Sequence, residues 1–282
     1  MNKKAFKTLE FDKILDRLKN FAISPMGKEK CQNLEPSDDF DDIISWQKET
    51  TDAQSMCLRK GNIPLGGLRE IRPQIKRAAM GGSLLIEELL NINEFLYVCR
   101  KVKNYSKSEN KNESYENIEG YFELLTLMPE IENEISDNAS GELRNIRREI
   151  KISNDRIREK LNSIIYSSTY KNMLQDYVVT IRNDRYCVPI KNEYRNSFPG
   201  MVHDQSNTGA TVFIEPIAVV ELNNKIRELQ AKEKAEIDKI LKELSVMVSI
   251  HSEEITSNLN ILAHLDFVFA KANLSLSMNG TK

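Results

Sequence analysis

The sequence predicts a mainly α-helical protein with a small antiparallel β insert: a helical domain, a long antiparallel coiled-coil arm and a β module at the arm's tip. Three observations predict this architecture. Apolar residues recur at spacings of three and four over much of the chain, which is typical of amphipathic helices. Two of these patterns are long and rich in Lys, Arg and Glu, as in exposed coiled coils. Between them lies a β-branched segment with turn signals.

Residues 1–138 are predicted to form the helical domain. An apolar stripe runs from Phe6 to Phe21, and Ser24-Pro25 has the capping hydroxyl and the proline that are typical of a helix start. Ser37 and Ser83 are predicted to begin two further helices. The segments 61–73 and 106–120 are predicted as loops, the second as a mobile loop or a helix end. From 112 to 143 the chain has nine acidic residues and no Lys or Arg, a face that would repel phosphate.

Two long helices are predicted to form the arm. The ascending helix lies within 139–175 and ends at about Tyr170; about 30 residues at a rise of 1.5 Å make a rod of roughly 45 Å. The descending helix lies within 217–258, continues past a bend, and residues 259–282 return to the helical domain. The apolar positions are Leu143, Ile146, Ile150, Ile157, Leu161 and Ile164 in the first helix, and Leu222, Ile226, Leu229, Ile237, Ile240, Leu244 and Met247 in the second.

Residues 176–216 are predicted to form the β module. One hairpin turns at Asn183-Asp184, and a second pair of strands is joined by the Ser-Asn-Thr-Gly turn at 206–209. Pro199-Gly200 marks a turn between the two pairs. The module therefore has about four antiparallel strands, and Glu215-Pro216 marks where the sheet ends and the descending helix begins.

Composition restricts the possible partners and location. Lys and Arg number 40 against 42 acidic residues, so a nucleic-acid surface must be local. The four cysteines are far apart, which favours reduced thiols over a zinc cluster or disulfides. No signal peptide and no apolar stretch of about 18 residues is visible, so no membrane contact and a cytoplasmic location are expected.

The stretch MVHDQSNTGATVFIEP brings together residue types found in hydrolase sites. In a strand, however, neighbours point to opposite faces, so His203 and Asp204 are not expected to form an oriented catalytic pair. Ser206 does not lie in a G-x-S-x-G turn. The interpretation is a hairpin whose turn residues make hydrogen-bonding contacts: Gln205, Ser206, Asn207 and Thr208.

Cofactors and catalytic residues are not expected on this chain. The three histidines, His203, His251 and His264, are scattered and match no metal-binding spacing. No G-x-x-x-x-G-K-[ST] phosphate loop is present.

Two groups of basic residues are candidates for contacts with nucleic acid. Residues 142–160 hold seven Lys or Arg against four acids, and four more cations lie within 14 residues of the β module. Such clusters suit phosphate backbones, because each neutralised phosphate releases counterions; the alternative is a solvated coiled-coil face. The selected residues are Arg144, Arg147, Arg148 and Lys151 in the arm and Arg182, Arg185, Lys191 and Arg195 in the module.

The most specific signal is the segment VTIRNDRYCVPIKNEYRNSFPGMVHDQSNTGATVFIEPIAVVELNNKIREL. It resembles the clamp and the following helix of the bacterial type-two MutS paralogues. LEFDKILDRL, GNIPLGGLREIRP and LDFVFAKA are also similar to that family, so the resemblance covers nearly the whole chain.

The resemblance implies a lever and a clamp that precede a MutS-type ATPase and a C-terminal Smr-type endonuclease domain. It further implies ATP and Mg²⁺ as cofactors of full-length relatives. It also implies dimers that bind duplex or branched DNA, suppress homologous recombination or, in some members, rescue stalled ribosomes. Because the sequence ends at SLSMNGTK without a phosphate loop, the chain is interpreted as an N-terminal fragment without enzymatic activity of its own.

Two other functions remain open at this stage. One is a coiled-coil interaction protein, because residues 219–254 carry six basic against eight acidic residues. The other is half of a split ATPase whose second half is encoded downstream.

Overall fold

The computed structural model of the chain describes residues 8–107, 115–136 and 140–280. These residues form two compact units, the first from the described residues up to 136 together with 241–280, and the second from 140–240. The predicted class, mainly helical with a small antiparallel sheet, is confirmed. Phe6, the middle of the predicted 106–120 loop and the predicted boundary at 138–139 lie outside the described residues.

The first unit is helical. Its long C-terminal helix, which is almost entirely apolar on the buried side, packs against helices from the N-terminal part of the chain. Its helices are α1 (Phe11–Phe21), α2 (Pro25–Gln32), α3 (Phe40–Lys60), α4 (Arg72–Ala79), α5 (Ile86–Ser106), α6 (Glu116–Leu124) and α7 (Pro129–Ser136). After the second unit, which supplies α8 (Gly141–Ile165) and most of α9 (Ile217–Ile250), α10 (Ser252–Ser277) completes it.

Three predicted helix starts can be compared with the structure. Ser24 caps α2 as predicted, since its hydroxyl accepts a hydrogen bond from the Gly27 N–H at 2.9 Å. The cap of α3 is Asp39 rather than Ser37, because the Asp39 carboxylate accepts from two N–H groups of the first turn, where the helix dipole favours negative charge. Helix α5 begins at Ile86, three residues after Ser83, where Glu88 accepts from the Leu85 N–H.

A buried carboxylate ties α10 to the start of α2. Asp266 is 2% exposed and accepts hydrogen bonds from the Ile23 N–H and from both the N–H and the hydroxyl of Ser24. Burial raises the pKa of Asp266, although these hydrogen bonds act in the opposite direction. A Cβ at Gly27 would collide with the Asp266 carboxylate, so this close helix contact requires glycine.

The second unit joins two antiparallel helices to a four-stranded antiparallel sheet. The sheet order is β1-β2-β4-β3, with the middle strands buried. Asn183 and Asp184 both have positive φ, 49° and 58°, so the first hairpin has the left-handed two-residue turn that matches the twist of the strands. The strands are β1 (Thr180–Arg182), β2 (Arg185–Lys191), β3 (Gly200–Gln205) and β4 (Thr211–Pro216), with a short 3₁₀ helix at Asn192–Tyr194.

One face of the sheet packs on the two helices and forms the core of the second unit. Val188 and Ile190 of β2 and Val212 and Ile214 of β4 are fully buried there. The other members of this core are Ile157, Leu161 and Ile165 of α8, Leu174, Phe198, and Val219 and Ile226 of α9. Because the helices supply so much of the core, the sheet depends on them for its stability.

Both arm helices end earlier than predicted. Helix α8 ends at Ile165 instead of about Tyr170, since the following Ser-Ser-Thr residues favour turns over helix and Tyr170 packs edge-on against Phe198. Helix α9 ends at Ile250, and the predicted continuation to 258 is the separate helix α10, which has Glu253 and Glu254 in its first turn. The predicted junction at Pro216 is confirmed, because α9 starts at Ile217.

Candidate nucleic-acid interface

The two helices of the second unit run antiparallel, and their side-chain contacts define the alignment. Ser140 caps α8 and donates its hydroxyl to Glu236 at 2.9 Å, while Lys160 near the other end donates to the Ala218 carbonyl at 3.0 Å. Between these points, Arg147 pairs with Glu233 at 2.7 Å and Lys225 pairs with Glu149 at 3.1 Å. Early residues of α8 thus meet late residues of the α9 segment 217–240.

Six of the twelve cations that this helix pair carries within the second unit lie on one side, where there are few acids. In α8, Arg144, Lys151 and Arg158 directly follow Leu143, Ile150 and Ile157, which face the core and are seven residues apart. Positions seven residues apart lie on nearly the same side of a helix. In α9, Arg227 and Lys234 likewise follow Ile226 and the half-buried Glu233.

Residues that follow the core positions of the two helices share one side of the pair. The contact between Glu149 and Lys225 supports this arrangement. Each of the two residues comes one position before a core residue, and their side chains meet on the opposite side of the helix pair. We call the first side the basic flank: Arg144, Arg148, Lys151 and Arg158 of α8 and Arg227 and Lys234 of α9, with Asp155 and Asp238 as acids at the same helical spacing. We call the second side the mixed flank: Glu142, Glu149 and Arg156 of α8 and Lys225, Lys232 and Lys239 of α9.

The four predicted arm residues therefore differ in availability. Arg148 and Lys151 are exposed, and neither has a hydrogen bond or ion pair within the described part of the chain. Arg147 lies at the edge of the basic flank and is engaged by Glu233. Arg144 lies on the flank at the N-terminal end of α8.

Three further residues of the basic flank, Arg158, Arg227 and Lys234, were not among the predicted site residues. All three are exposed and have no ion pair within residues 140–280. The sequence indicates that these residues belong to the flank only through their position, because each directly follows a core-facing position of the seven-residue repeat. Counting charges along the chain does not reveal it, since the neighbouring residues on the mixed flank carry both signs.

The four predicted cations of the β module have different surroundings. Arg182 stacks over the Phe213 ring at 4.1 Å and pairs with Asp204 at 3.1 Å. Lys191 donates to the Asn172 carbonyl, whereas Arg195 is exposed with no side-chain partner in the described residues. The fourth, Arg185, is enclosed: its side chain is 14% exposed and donates to Glu215 at 3.0 Å.

Glu215 is the centre of a buried polar network. Its carboxylate is fully buried and is contacted by Arg185, by the Asn223 amide at 2.6 Å and by His203 Nε2 at 2.6 Å. Asn223 of α9 also accepts from the Tyr186 N–H. A buried carboxylate requires such partners. The network joins β2, β3, β4 and α9, and Arg185 has a structural role within it.

His203 and Asp204 have different partners, and a bulge in β3 separates them. Val202 pairs with Ile214 and Asp204 with Phe213, so His203 is the extra residue in β3. The bulge directs His203 to Glu215, whereas Asp204 pairs with Arg182.

The predicted contact residues form a pre-organised turn. The Gln205 amide donates to the Gly209 carbonyl, and the Ser206 hydroxyl accepts from the Thr211 N–H. Ser206 and Thr208 hydroxyls lie 3.4 Å apart, and Asn207 is exposed at the tip. Gly209 has a φ of 74°, which favours glycine there.

The other chemically reactive groups are held in unreactive states. Burial raises the pKa of Cys31 and Cys187 to about 12 and of Cys57 to about 11, and it also raises the pKa of Cys99. These thiols are neutral at pH 7 and are poor nucleophiles. Within the described residues, no group of three His, Cys, Asp or Glu side chains is placed to hold a metal ion.

A cavity of about 1000 Å³ lies in the first unit. Among its lining residues Arg72 pairs with Glu29 at 2.7 Å, and His264 contacts Glu49, which lies beside the cavity and also accepts from Tyr121. Burial lowers the pKa of Lys271, which stacks on Phe267. Mixed charge of this kind does not form a phosphate-binding surface, and the basic flank is the stronger candidate.

The antiparallel helix pair and the four-stranded β module agree with the architecture expected of the MutS-like class that the sequence resembles. Comparison with known proteins supports this class over the full chain. An "Endonuclease MutS2" of Alkaliphilus oremlandii is 44% identical over 292 residues, covering 100% of this chain and 37% of the relative. Proteins of the same name in Geobacillus sp. (strain WCH70) and Clostridioides difficile are 43% and 44% identical, each with 37% of its length covered.

These matches confirm the family resemblance: the chain corresponds to the N-terminal portion of the type-two MutS paralogues. It spans little more than a third of the length of the relatives it matches. A scan against protein-family models found no match. Among the described residues, no helix is long and apolar enough to cross a membrane.

Proposed function

We propose that the chain is the nucleic-acid-embracing lever and clamp of a MutS-like protein, and that the basic flank contacts phosphate backbones. The observation that carries the proposal is the excess of cations on the basic flank. Six cations share this flank with two acids, whereas the mixed flank carries four cations and two acids, of which Glu149 and Lys225 pair with each other. Backbone contacts of this kind position a protein without reading sequence.

The dimensions of the flank suit a duplex. From Arg144 to Arg158 the helix rises about 21 Å, equivalent to roughly six base steps of 3.4 Å. Arg195 adds an exposed cation on the β module, and the turn at 205–208 supplies hydrogen-bonding groups. We leave Arg185 out of the proposed contact surface, because its side chain is only 14% exposed and pairs with the buried Glu215.

The name of the relatives supports a nucleic-acid role in general, since they are called endonucleases. We place that activity, together with binding of ATP and Mg²⁺, outside the matched portion and assign this chain a binding role. In a longer protein of this family, two such chains are expected to pair and close around duplex or branched DNA, in suppression of homologous recombination, or around ribosomal RNA, in ribosome rescue. Four unpaired cysteines fit the reducing cytoplasm where both targets occur.

A charge-reversal experiment tests the flank. The test variant is Arg148→Glu/Lys151→Glu, and the matched control is Arg156→Glu/Lys232→Glu, which makes the same charge change on the mixed flank. Affinity for a labelled 24-base-pair duplex is measured by fluorescence anisotropy across a salt series. The wild type is expected to bind with an affinity that falls as salt rises.

The test variant is expected to lose at least tenfold in affinity at low salt. Its slope of log affinity against log salt should become shallower by about two, since each lost phosphate contact removes about 0.9. The control should keep most of the affinity. Equal losses in both variants, or no binding by the wild type at low salt, would overturn the proposal, and competition by duplex RNA of equal length separates the DNA and ribosome roles.

A further inference from the structure

The basic flank ends at a small cavity between α8 and the edge of the sheet. The cavity has a volume of about 390 Å³ and is lined by Arg158, Asn162, Val179, Ile181 and Tyr186. This volume lies within the range of small-ligand pockets. Arg158 belongs both to the flank and to the cavity, so a backbone that follows the flank reaches the cavity mouth.

The lining combines flat apolar surface with planar polar groups. Val179 and Ile181 flank the Tyr186 ring, and Ile181 remains 55% exposed, although it belongs to a strand. On the other side, Arg158 and Asn162 lie four residues apart and therefore adjacent on α8. A guanidinium and a carboxamide are the side chains that pair best with the edges of nucleobases.

The aromatic wall is held in place before any ligand binds. The Tyr186 hydroxyl donates to Asn154 of α8 at 2.9 Å, and its backbone N–H and carbonyl both contact Asn223 of α9. Because the ring is fixed by both helices, binding loses little side-chain entropy. The ring contributes to the core on one side and to the cavity on the other.

We propose that this cavity receives one unpaired nucleobase of a nucleic acid whose backbone follows the basic flank. The inference rests on the proposed function and deepens it, because it names the preferred substrate as a duplex with one unpaired nucleotide. Every base has a flat face for Tyr186, so the site selects an unpaired position without selecting a sequence. A fully paired duplex keeps its bases stacked and uses the flank alone.

The test uses the full chain and two labelled 24-base-pair probes. One probe is fully paired, and the other carries a single extra unpaired 2-aminopurine. Ile181→Phe fills the cavity at an exposed position without removing a charge. Met201→Phe is the control, because Met201 is equally exposed but lies on β3, at the opposite edge of the sheet from β1. Thermal melts verify that both variants are folded.

The wild type and Met201→Phe are expected to bind the bulged probe about tenfold tighter than the paired probe, within the range that one stacked base contributes. The 2-aminopurine emission should fall on binding. Ile181→Phe should bind both probes with the affinity of the paired duplex, and should leave the emission unchanged.

Two results would contradict the inference in distinguishable ways. If the wild type binds both probes equally, or if Ile181→Phe keeps the preference for the bulge, the cavity is not a base site and the proposed backbone binding stands. If the wild type binds neither probe at low salt, the proposed function fails, and the role of the cavity fails with it.

Discussion

At the scale of single residues, the central feature of the second unit is the buried carboxylate of Glu215. It lies between an arginine, a histidine and an asparagine from three different elements. An isolated buried charge destabilises the fold. Removing one partner of a buried ion pair is therefore also destabilising, because the other charge is left buried without compensation. The network therefore makes the position of β3 depend on β2 and α9.

We predict that Glu215→Ala lowers the free energy of unfolding by about 3–5 kcal/mol, because it leaves Arg185 buried without a counter-charge. The control is Asp204→Ala, which breaks the Arg182–Asp204 pair, an exposed pair with an expected effect of about 0–1 kcal/mol. Urea denaturation measures both. Similar effects of the two substitutions would show that the network does not stabilise the unit.

A second residue-scale feature depends on pH. Burial acts to raise the pKa of Glu49, but hydrogen bonds from His264 and Tyr121 outweigh it and lower that pKa. A carboxyl group with a lowered pKa contributes stability that is present above its unfolded pKa and is lost as pH falls through the folded value. The pairing of Glu49 thus contributes to stability at neutral pH and weakens under acid conditions.

At the scale of elements, the first hairpin has a turn whose two residues are both left-handed. Asn183 is suited to this conformation and donates its amide to the His203 carbonyl, whereas Asp184 has no comparable bond within the described residues. Glycine adopts positive φ without steric cost, and Asn-Gly is the preferred sequence of this turn.

We predict that Asp184→Gly raises the melting temperature slightly, by an amount equivalent to about 0.5 kcal/mol, while Asp184→Val lowers it. Differential scanning calorimetry measures both. A stabilising effect of valine would contradict the role of the turn.

Much of the architecture could be predicted from local patterns. The seven-residue repeat predicted both arm helices, and the alternation around Asn183-Asp184 predicted the hairpin. The helix ends were less predictable, because Ser167 and His251 continue a plausible helical pattern that turn formation overrides. The environment of Arg185 could not be read from sequence, since its partner Glu215 lies 30 residues further along the chain.

At the scale of the whole molecule, the described chain divides into two compact units with separate cores. Substitutions in one core are therefore expected to act mainly on its own unit. The chain corresponds to only 37% of the length of the relatives it matches.

We predict that hydrogen exchange will localise the effects of two core substitutions to different units. Glu215→Ala should increase exchange in 180–216 and leave 255–272 protected, because the network lies within the second unit. Gly27→Ala, which forces a Cβ against Asp266, should have the opposite pattern. Mass spectrometry of peptide fragments measures both, and a uniform increase over the chain would contradict the division.

The excess of cations on the basic flank also has a kinetic consequence. The chain carries a net charge of −2, so at a distance it is weakly repelled by a polyanion. Within about 10 Å at 0.1 M salt, however, a polyanion meets the local charge of the basic flank, because more distant charges are screened. We expect this local charge to rotate the arm so that the basic flank faces the nucleic acid before contact, and the flank then sets the rate of productive encounters as well as the strength of binding.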